Sequence, residues 1–355
     1  MAAIRVLIVD DSALMRQLLT KLLSQDPAIE VVGVAADPYI AWDKIKALSP
    51  HVITLDVEMP RMDGLTFLER LMQLRPTPVV MVSSLTQRGC ETTLKALELG
   101  AVDFVTKPSH DVAISTLQLG EQLAEKVKIA AKVKLPRQGT ARPVAARPST
   151  GPILRRVQST AKVIAIGAST GGTEAITEVL RALPGDSPGI VIVQHMPPGF
   201  TRSFARRLDG ICRIRVKEAC DGDRILPGQA LLAPGDFHMQ VVRTGAQDTV
   251  RVFMAPPVNR FRPSVDVLLN SCAEHLGCNC VGVILTGMGN DGARGTLALH
   301  RAGARTVAQN EATCVVFGMP KEAIALGGVD EVLPLDEIAA AALGAVASSP
   351  LVASR

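Results

Sequence analysis

Short apolar runs recur along the first 133 positions, each followed by a stretch in which apolar residues return every three or four places. The runs Ile4–Val9, 30–34, 52–55, 78–82 and 102–105 are rich in Val, Ile and Leu, as strands buried on both faces require. The periodic stretches 12–23, 39–48, 65–74, 88–99 and 111–132 predict amphipathic helices. Five strand–helix units in series predict a five-stranded parallel sheet covered on both faces, a doubly wound α/β fold. The alternation stops after residue 133 and resumes near 162, where 163–166, 190–193, 281–285 and 305–308 read as buried parallel strands and 264–275 as a helix. Residues 211–254 carry shorter runs broken by Pro227-Gly228 and Gly235-Asp236, which predict hairpins. The second half is therefore expected to be a mixed, mainly parallel sheet with an antiparallel excursion.

With 355 residues, 47% of them hydrophobic, the chain can bury two cores of ordinary size. Charged residues make up 20%, evenly mixed, which excludes a disordered class. The start runs directly into a strand ended by two acids and has no signal-peptide pattern. No apolar run approaches the ~20 residues that span a bilayer, so no membrane insertion is expected. Seven cysteines, an odd number without paired spacing, predict reduced thiols and a cytoplasmic setting. Cys272, Cys278 and Cys280 surround His275, but their spacing fits no standard zinc site, and buried thiols are the expectation. Residues 1–125 have a net charge of −5 and 163–355 of −1, whereas 126–162 hold ten basic residues and no acid. The basic excess thus belongs to a central segment. Its part 134–160, rich in Pro, Ala, Arg and Gly, reads as a tethering linker between a domain at 1–133 and another at 161–348. A second domain that nets −1 and shows no helix-turn-helix argues against nucleic acid as a partner.

Ligands of doubly wound sheets collect at the carboxyl ends of the strands. In the first domain those ends hold Asp10, Asp11, Asp56, Ser83 and Lys107. Crowded carboxylates repel unless a hard divalent cation such as Mg²⁺ lies among them, which makes Asp10, Asp11 and Asp56 candidate metal ligands. Such a cation would let Asp56 attack phosphorus, with Lys107 and the Ser83 hydroxyl holding the transferred oxygens. Asp10-Asp11, Asp56 with Met59-Pro60-x-Met62-Asp63-Gly64, Ser83 and Lys107-Pro108 resemble the receiver domain of bacterial response regulators. The resemblance implies a flavodoxin-like fold, phosphorylation at Asp56 by a histidine kinase, and Mg²⁺ held partly by Asp10 or Asp11. It also implies a switch formed by Ser83 and the aromatic Phe104, three residues before Lys107.

Residues 162–173 read K-V-I-A-I-G-A-S-T-G-G-T, a buried strand, a glycine-rich turn and a helix start at Thr173. Gly167-Ala168-Ser169-Thr170-Gly171 matches a nucleophile elbow, and equally a turn that cradles an anion. A nucleophilic serine needs a base and an acid to orient it. Of six histidines, His195 alone directly follows a buried strand of the second domain, and Asp291 lies in the glycine-rich turn after another. Three parallel strands thus deliver Ser169, His195 and Asp291 to one sheet edge, a candidate triad. Backbone N–H groups near Thr170 and Met288 are candidate oxyanion donors. The order Ser, His, Asp differs from that of α/β-hydrolases.

Gly167-Ala168-Ser169-Thr170-Gly171-Gly172, Gln194-His195-Met196 and Gly287-Met288-Gly289-Asn290-Asp291-Gly292 are similar to the motifs of chemotaxis protein-glutamate methylesterases, as is 262–266. With the receiver in front, the resemblance covers residues 3–345. It implies a cytoplasmic enzyme that hydrolyses glutamate γ-methyl esters on chemoreceptors, releasing methanol, with receptor glutamine deamidation in some members. No esterase-domain cofactor and a monomeric state are expected. The competing readings are a small-molecule esterase and a phosphate- or nucleotide-binding output domain.

Overall fold

The computed structural model describes residues 3–107, 112–133, 162–245 and 247–348. The expected linker, 134–160, lies outside the described residues, as does Pro108. The chain splits into two compact units, Met1–Arg147 and Pro148–Arg355.

The first unit runs β1 (Ile4–Val9), α1 (Ala13–Leu23), β2 (Ile29–Ala35), α2 (Pro38–Leu48), β3 (Val52–Asp56), α3 (Gly64–Leu74), β4 (Val79–Ser83), α4 (Gln87–Glu98), β5 (Asp103–Thr106) and α5 (Val112–Ala130). Its sheet is ordered β2-β1-β3-β4-β5 with every pair parallel. Val6, Ile8, Val80, Val82 and Val105 pack on one face against Leu19, Leu23, Leu119 and Leu123 of α1 and α5. Helices α1 to α4 are each started by a side chain that accepts a backbone N–H: Ser12, Asp37, Asp63 and Thr86. The strand order reverses between β1 and β3, which opens a crevice at their carboxyl ends.

The second unit runs β6 (Val163–Ala168), α6 (Gly172–Ala182), β7 (Gly189–Gln194), α7 (Phe200–Ile211), β8 (Arg215–Glu218), β9 (Gln229–Leu232), β10 (His238–Thr244), β11 (Gln247–Phe253), α8 (Val265–His275), β12 (Cys280–Ile284), α9 (Ala293–Arg301), β13 (Arg305–Gln309), α10 (Met319–Ala325), β14 (Glu331–Leu333) and α11 (Leu335–Ser348). Seven strands form one sheet, β14-β13-β12-β6-β7-β9-β8, again parallel throughout. The antiparallel part stands apart: β10 and β11 make a separate two-stranded sheet. The runs at 215–218 and 229–232 join the main sheet in parallel, because residues 219–228 are a crossover rather than a tight turn. The β10–β11 ribbon lies on α8, where Val241 N–H bonds Ser271 Oγ at 2.9 Å. Met239, Val241 and Val250 of the ribbon complete a core with Leu268, Leu269 and Ile284. Helix α6 starts one residue before Thr173, with Gly171 at the cap in a left-handed conformation (φ 76°). Among the described residues no helix is long and apolar enough to cross a membrane.

Candidate active site

Strand register brings Ser169 and His195 together. Gly167 pairs with Val193 and Ala168 with Gln194, so the next residues, Ser169 and His195, leave β6 and β7 side by side. His195 N–H bonds Ala168 O at 3.2 Å, and Ser169 N–H bonds Thr286 O at 3.0 Å, tying the turn to the end of β12 as well. The Ser169 carbonyl accepts from Gly172 N–H (2.7 Å) and from Gln194 Nε2 (2.9 Å). Glycine at 172 is required by space, since a β-carbon there would sit 2.1 Å from Gln194 Oε1. Gly287 packs as closely, with a β-carbon position 2.8 Å from Ser169 Cβ. Thr170 follows Ser169, and its carbonyl accepts from Thr286 Oγ1 at 3.0 Å. Met288, the other expected oxyanion residue, follows Gly287 and is exposed.

Asp291 is wholly buried, and His195 Nε2 lies 2.8 Å from its Oδ2. Its carboxylate also accepts from Asn259 Nδ2 (2.8 Å), Ser264 Oγ (2.7 Å), Val265 N–H (2.7 Å) and Asp266 N–H (3.3 Å). The two backbone donors open α8, so the carboxylate sits at a helix N-terminus, where negative charge is favoured. Burial pushes the carboxyl up, but His195, Asn259 and Ser264 outweigh it and hold Asp291 below the ordinary carboxylate value. The His195 ring stacks on Phe261, with centroids 3.7 Å apart and planes within 7°. Its Nδ1 is buried and without a hydrogen-bond partner, so no Ser169–His195 hydrogen bond is formed in this state. With Nε2–H given to Asp291, Nδ1 is the nitrogen left to accept a proton.

Sequence reasoning assigned no part to Asn259, Phe261, Ser264 or the Gln194 amide. Ser264 had a readable signal, an N-cap residue before a helical pattern, but its hydroxyl serves Asp291 instead of its own helix. Cys272 and Cys280 are buried free thiols, and a hydrogen bond to Cys280, then burial, pushes Cys272 well up. Among the described residues, the group of side chains close enough to share a metal ion is Asp10, Asp11 and Asp56, with ligand atoms within 4.8 Å of one another.

That group lies at the carboxyl ends of β1 and β3, and its all-oxygen donors fit a hard divalent cation. Lys107 Nζ lies 2.8 Å from Asp56 Oδ2 and 3.2 Å from Asp10 Oδ2. Burial pushes the Asp56 carboxyl up to about 6, against the pull of Lys107. Burial works to lower Lys107, but its contacts with Asp56 and Asp10 prevail and raise it. Ser83 turns its hydroxyl to α4, accepting from Thr93 Oγ1 at 2.7 Å and reaching Gly89 O at 3.3 Å. Phe104 is buried, with Lys126 Nζ 5.1 Å from its ring centroid.

Comparison with known proteins places both units. Residues 164–342 match the family model "CheB methylesterase" and residues 6–117 match "Response regulator receiver domain". The chain is 60% identical over 338 residues to the protein-glutamate methylesterase/protein-glutamine glutaminase of Pectobacterium atrosepticum, covering 95% of each. This chain belongs to the CheB methylesterase family. Its similarity to the Salmonella typhimurium protein of the same name is 58% over 355 residues, 99% of each chain. Among solved structures, the catalytic domain of Thermotoga maritima CheB methylesterase superposes with a TM-score of 0.51 at 41% identity, over 52% of this chain and 99% of that one. Family membership and the parallel-sheet α/β architecture agree.

Proposed function

We propose that this chain hydrolyses glutamate γ-methyl esters on chemoreceptors, releasing methanol, and deamidates receptor glutamine at the same site, under control of phosphorylation at Asp56. The observation that carries the reading is the buried Asp291–His195 hydrogen bond beside Ser169, at the ends of three parallel strands. Relatives 58–60% identical carry both activities in their names. The domains are assigned as receiver 1–133, linker 134–160 and esterase 161–348, in a cytoplasmic monomer.

In this mechanism Ser169 Oγ attacks the ester carbonyl carbon while His195 Nδ1 takes the hydroxyl proton. Asp291 accepts Nε2–H and stabilises the imidazolium that forms. The oxyanion of the tetrahedral intermediate is met by the N–H groups of Thr170 and Met288. His195 then returns its proton to the departing methoxide, giving methanol and an acyl-enzyme. Water, deprotonated by the same imidazole, releases the glutamate carboxylate and restores Ser169. With a glutamine substrate the leaving group is ammonia. In the receiver, the Asp56 carboxylate takes a phosphoryl group from a histidine kinase, and Lys107 pairs with its oxygens. Mg²⁺ held by Asp10, Asp11 and Asp56 would neutralise the incoming phosphoryl charge. The deciding experiment is methanol release from methylated receptor, with and without a phosphodonor. Release by the parent but not by Ser169→Ala supports the reading, and equal release by both refutes it.

A further inference from the structure

A four-residue turn touches both partners of the His195–Asp291 pair. Val258 and Phe261 form an isolated antiparallel bridge, each N–H bonding the other's carbonyl, at 3.1 and 2.9 Å. Between them, Asn259 and Arg260 have φ of 51° and 72°. Positive φ at both central residues is what a type I′ turn demands. It suits glycine and is tolerated by asparagine, but arginine holds it only under constraint from its surroundings. Backbone strain of this kind gathers where the fold needs one geometry and no other.

The turn directs two side chains at the pair. Phe261 lies flat on the His195 ring at 3.7 Å. Asn259 Nδ2 bridges Asp291 Oδ1 and Asp266 Oδ2, at 2.8 Å each. Asp266 is fixed in turn by Gly295 N–H (2.7 Å), so the amide is anchored to α9 as well as to the turn. The His195 ring has a single hydrogen bond, at Nε2, and a ring held at one atom can still swing its other nitrogen. A flat aromatic face against it removes that swing.

Resting on the triad reading above, we propose that the 258–261 turn is the positioning device of the esterase. Phe261 sets the plane of the imidazole, Asn259 sets the plane of the carboxylate, and together they aim His195 Nδ1 at Ser169. Both residues contact the His195–Asp291 pair, so the turn acts on alignment, to which rate is steeply sensitive.

The test uses the full-length protein, a peptide carrying a glutamate γ-methyl ester, and methanol release. Phe261→Leu removes the ring, Phe261→Tyr keeps it, and Asn259→Ala removes the amide donor. The expected result is a kcat lower by about tenfold or more for Phe261→Leu and Asn259→Ala, with KM within about twofold of the parent. Phe261→Tyr should restore kcat to within about threefold. The proposal is overturned if Phe261→Leu keeps the parent kcat, if the loss falls on KM, or if tyrosine fails to restore turnover. Should Asn259→Ala not fold, the leucine–tyrosine pair decides alone. Ser169→Ala is measured alongside. Turnover surviving that change overturns the triad and this proposal together, whereas an inactive Ser169→Ala beside an unimpaired Phe261→Leu removes only the turn.

Discussion

Two buried aspartates sit in opposite electrostatic settings, and their pH behaviour should separate them. Asp291 accepts from His195, Asn259, Ser264 and two backbone N–H groups, and its carboxyl lies below the ordinary value of 3.8 despite burial. A carboxyl depressed in the folded state contributes stability above its unfolded pKa and loses it as pH falls through the folded one. The stability advantage of the parent over Asp291→Asn should therefore be full at pH 5–7 and shrink below about pH 4. A gap that stays constant down to pH 2 would contradict it. Asp56 is raised to about 6, first by burial, so its sign is reversed. Its favourable contribution is complete below about pH 4 and is lost as pH rises through 6, leaving a buried anion held by Lys107. Chemical unfolding of the parent against Asp56→Asn should show the parent losing ground between pH 4 and 7. Added Mg²⁺ should recover stability at pH 7 and do little at pH 4.5, where Asp56 is protonated. Chemistry gives a third expectation at this scale. Losing the Ser169 hydroxyl should leave no measurable methanol release, and Asp291→Asn should cost up to ~10⁴ in kcat through the wrong imidazole tautomer.

The elements around the serine are fitted to within a methyl group, which makes glycine substitutions a direct probe. A β-carbon at Gly172 would lie 2.1 Å from Gln194 Oε1 and 2.7 Å from Ala168 Cβ, both in the strands that deliver Ser169 and His195. Gly172→Ala should therefore destabilise the protein by about 1–3 kcal/mol and lower kcat, since the turn must move to admit it. Gly210→Ala, where a β-carbon meets nothing within 4 Å, is the control expected to leave kcat unchanged. An unimpaired Gly172→Ala would show that the turn is looser than this packing implies. The same elements tell what a sequence can disclose. Ile4–Val9 is read to the residue, and the strands at 52–55, 78–82 and 102–105 to within one, because buried parallel strands are continuous β-branched runs. Placing chemistry at strand ends likewise put Ser169 beside His195. The start of α6 falls one residue before the expected Thr173, because the left-handed Gly171 caps that helix without a side chain. The ribbon Gln247–Phe253 with His238–Thr244 was legible as antiparallel, but not as a sheet of its own, since alternation says which face is apolar and not which element covers it. The turn at 258–261 was invisible: its central pair, Asn259-Arg260, lacks the glycine that signals a two-residue hairpin.

At the scale of the whole chain, Asp56, the proposed phosphorylation site, and Ser169, the proposed nucleophile, belong to separate compact units, each with its own core. Control of one by the other therefore has to be carried by a free-energy difference. Phosphorylation can shift the esterase only by as much as it stabilises an active arrangement over an inactive one. A tenfold stimulation needs about 1.4 kcal/mol, a small demand on a new dianionic group placed against Lys107. Local rearrangement has a visible starting point. The Ser83 hydroxyl accepts from Thr93 Oγ1 and turns its own proton toward the carbonyls of Ser84 and Gly89, which it would give up to donate to a phosphoryl oxygen on Asp56. Methanol release by the full chain should accordingly rise at least several-fold when a small phosphodonor and Mg²⁺ are both present, and stay basal when the metal is chelated. Asp56→Asn should keep the basal rate and lose the response. Ser83→Ala should still take up phosphate yet show a weaker response, because the label forms but one of its partners is missing. If Asp56→Asn responds to the phosphodonor as the parent does, control runs through another residue. If Ser83→Ala responds in full, that hydroxyl plays no part in coupling the acyl phosphate to the ester site.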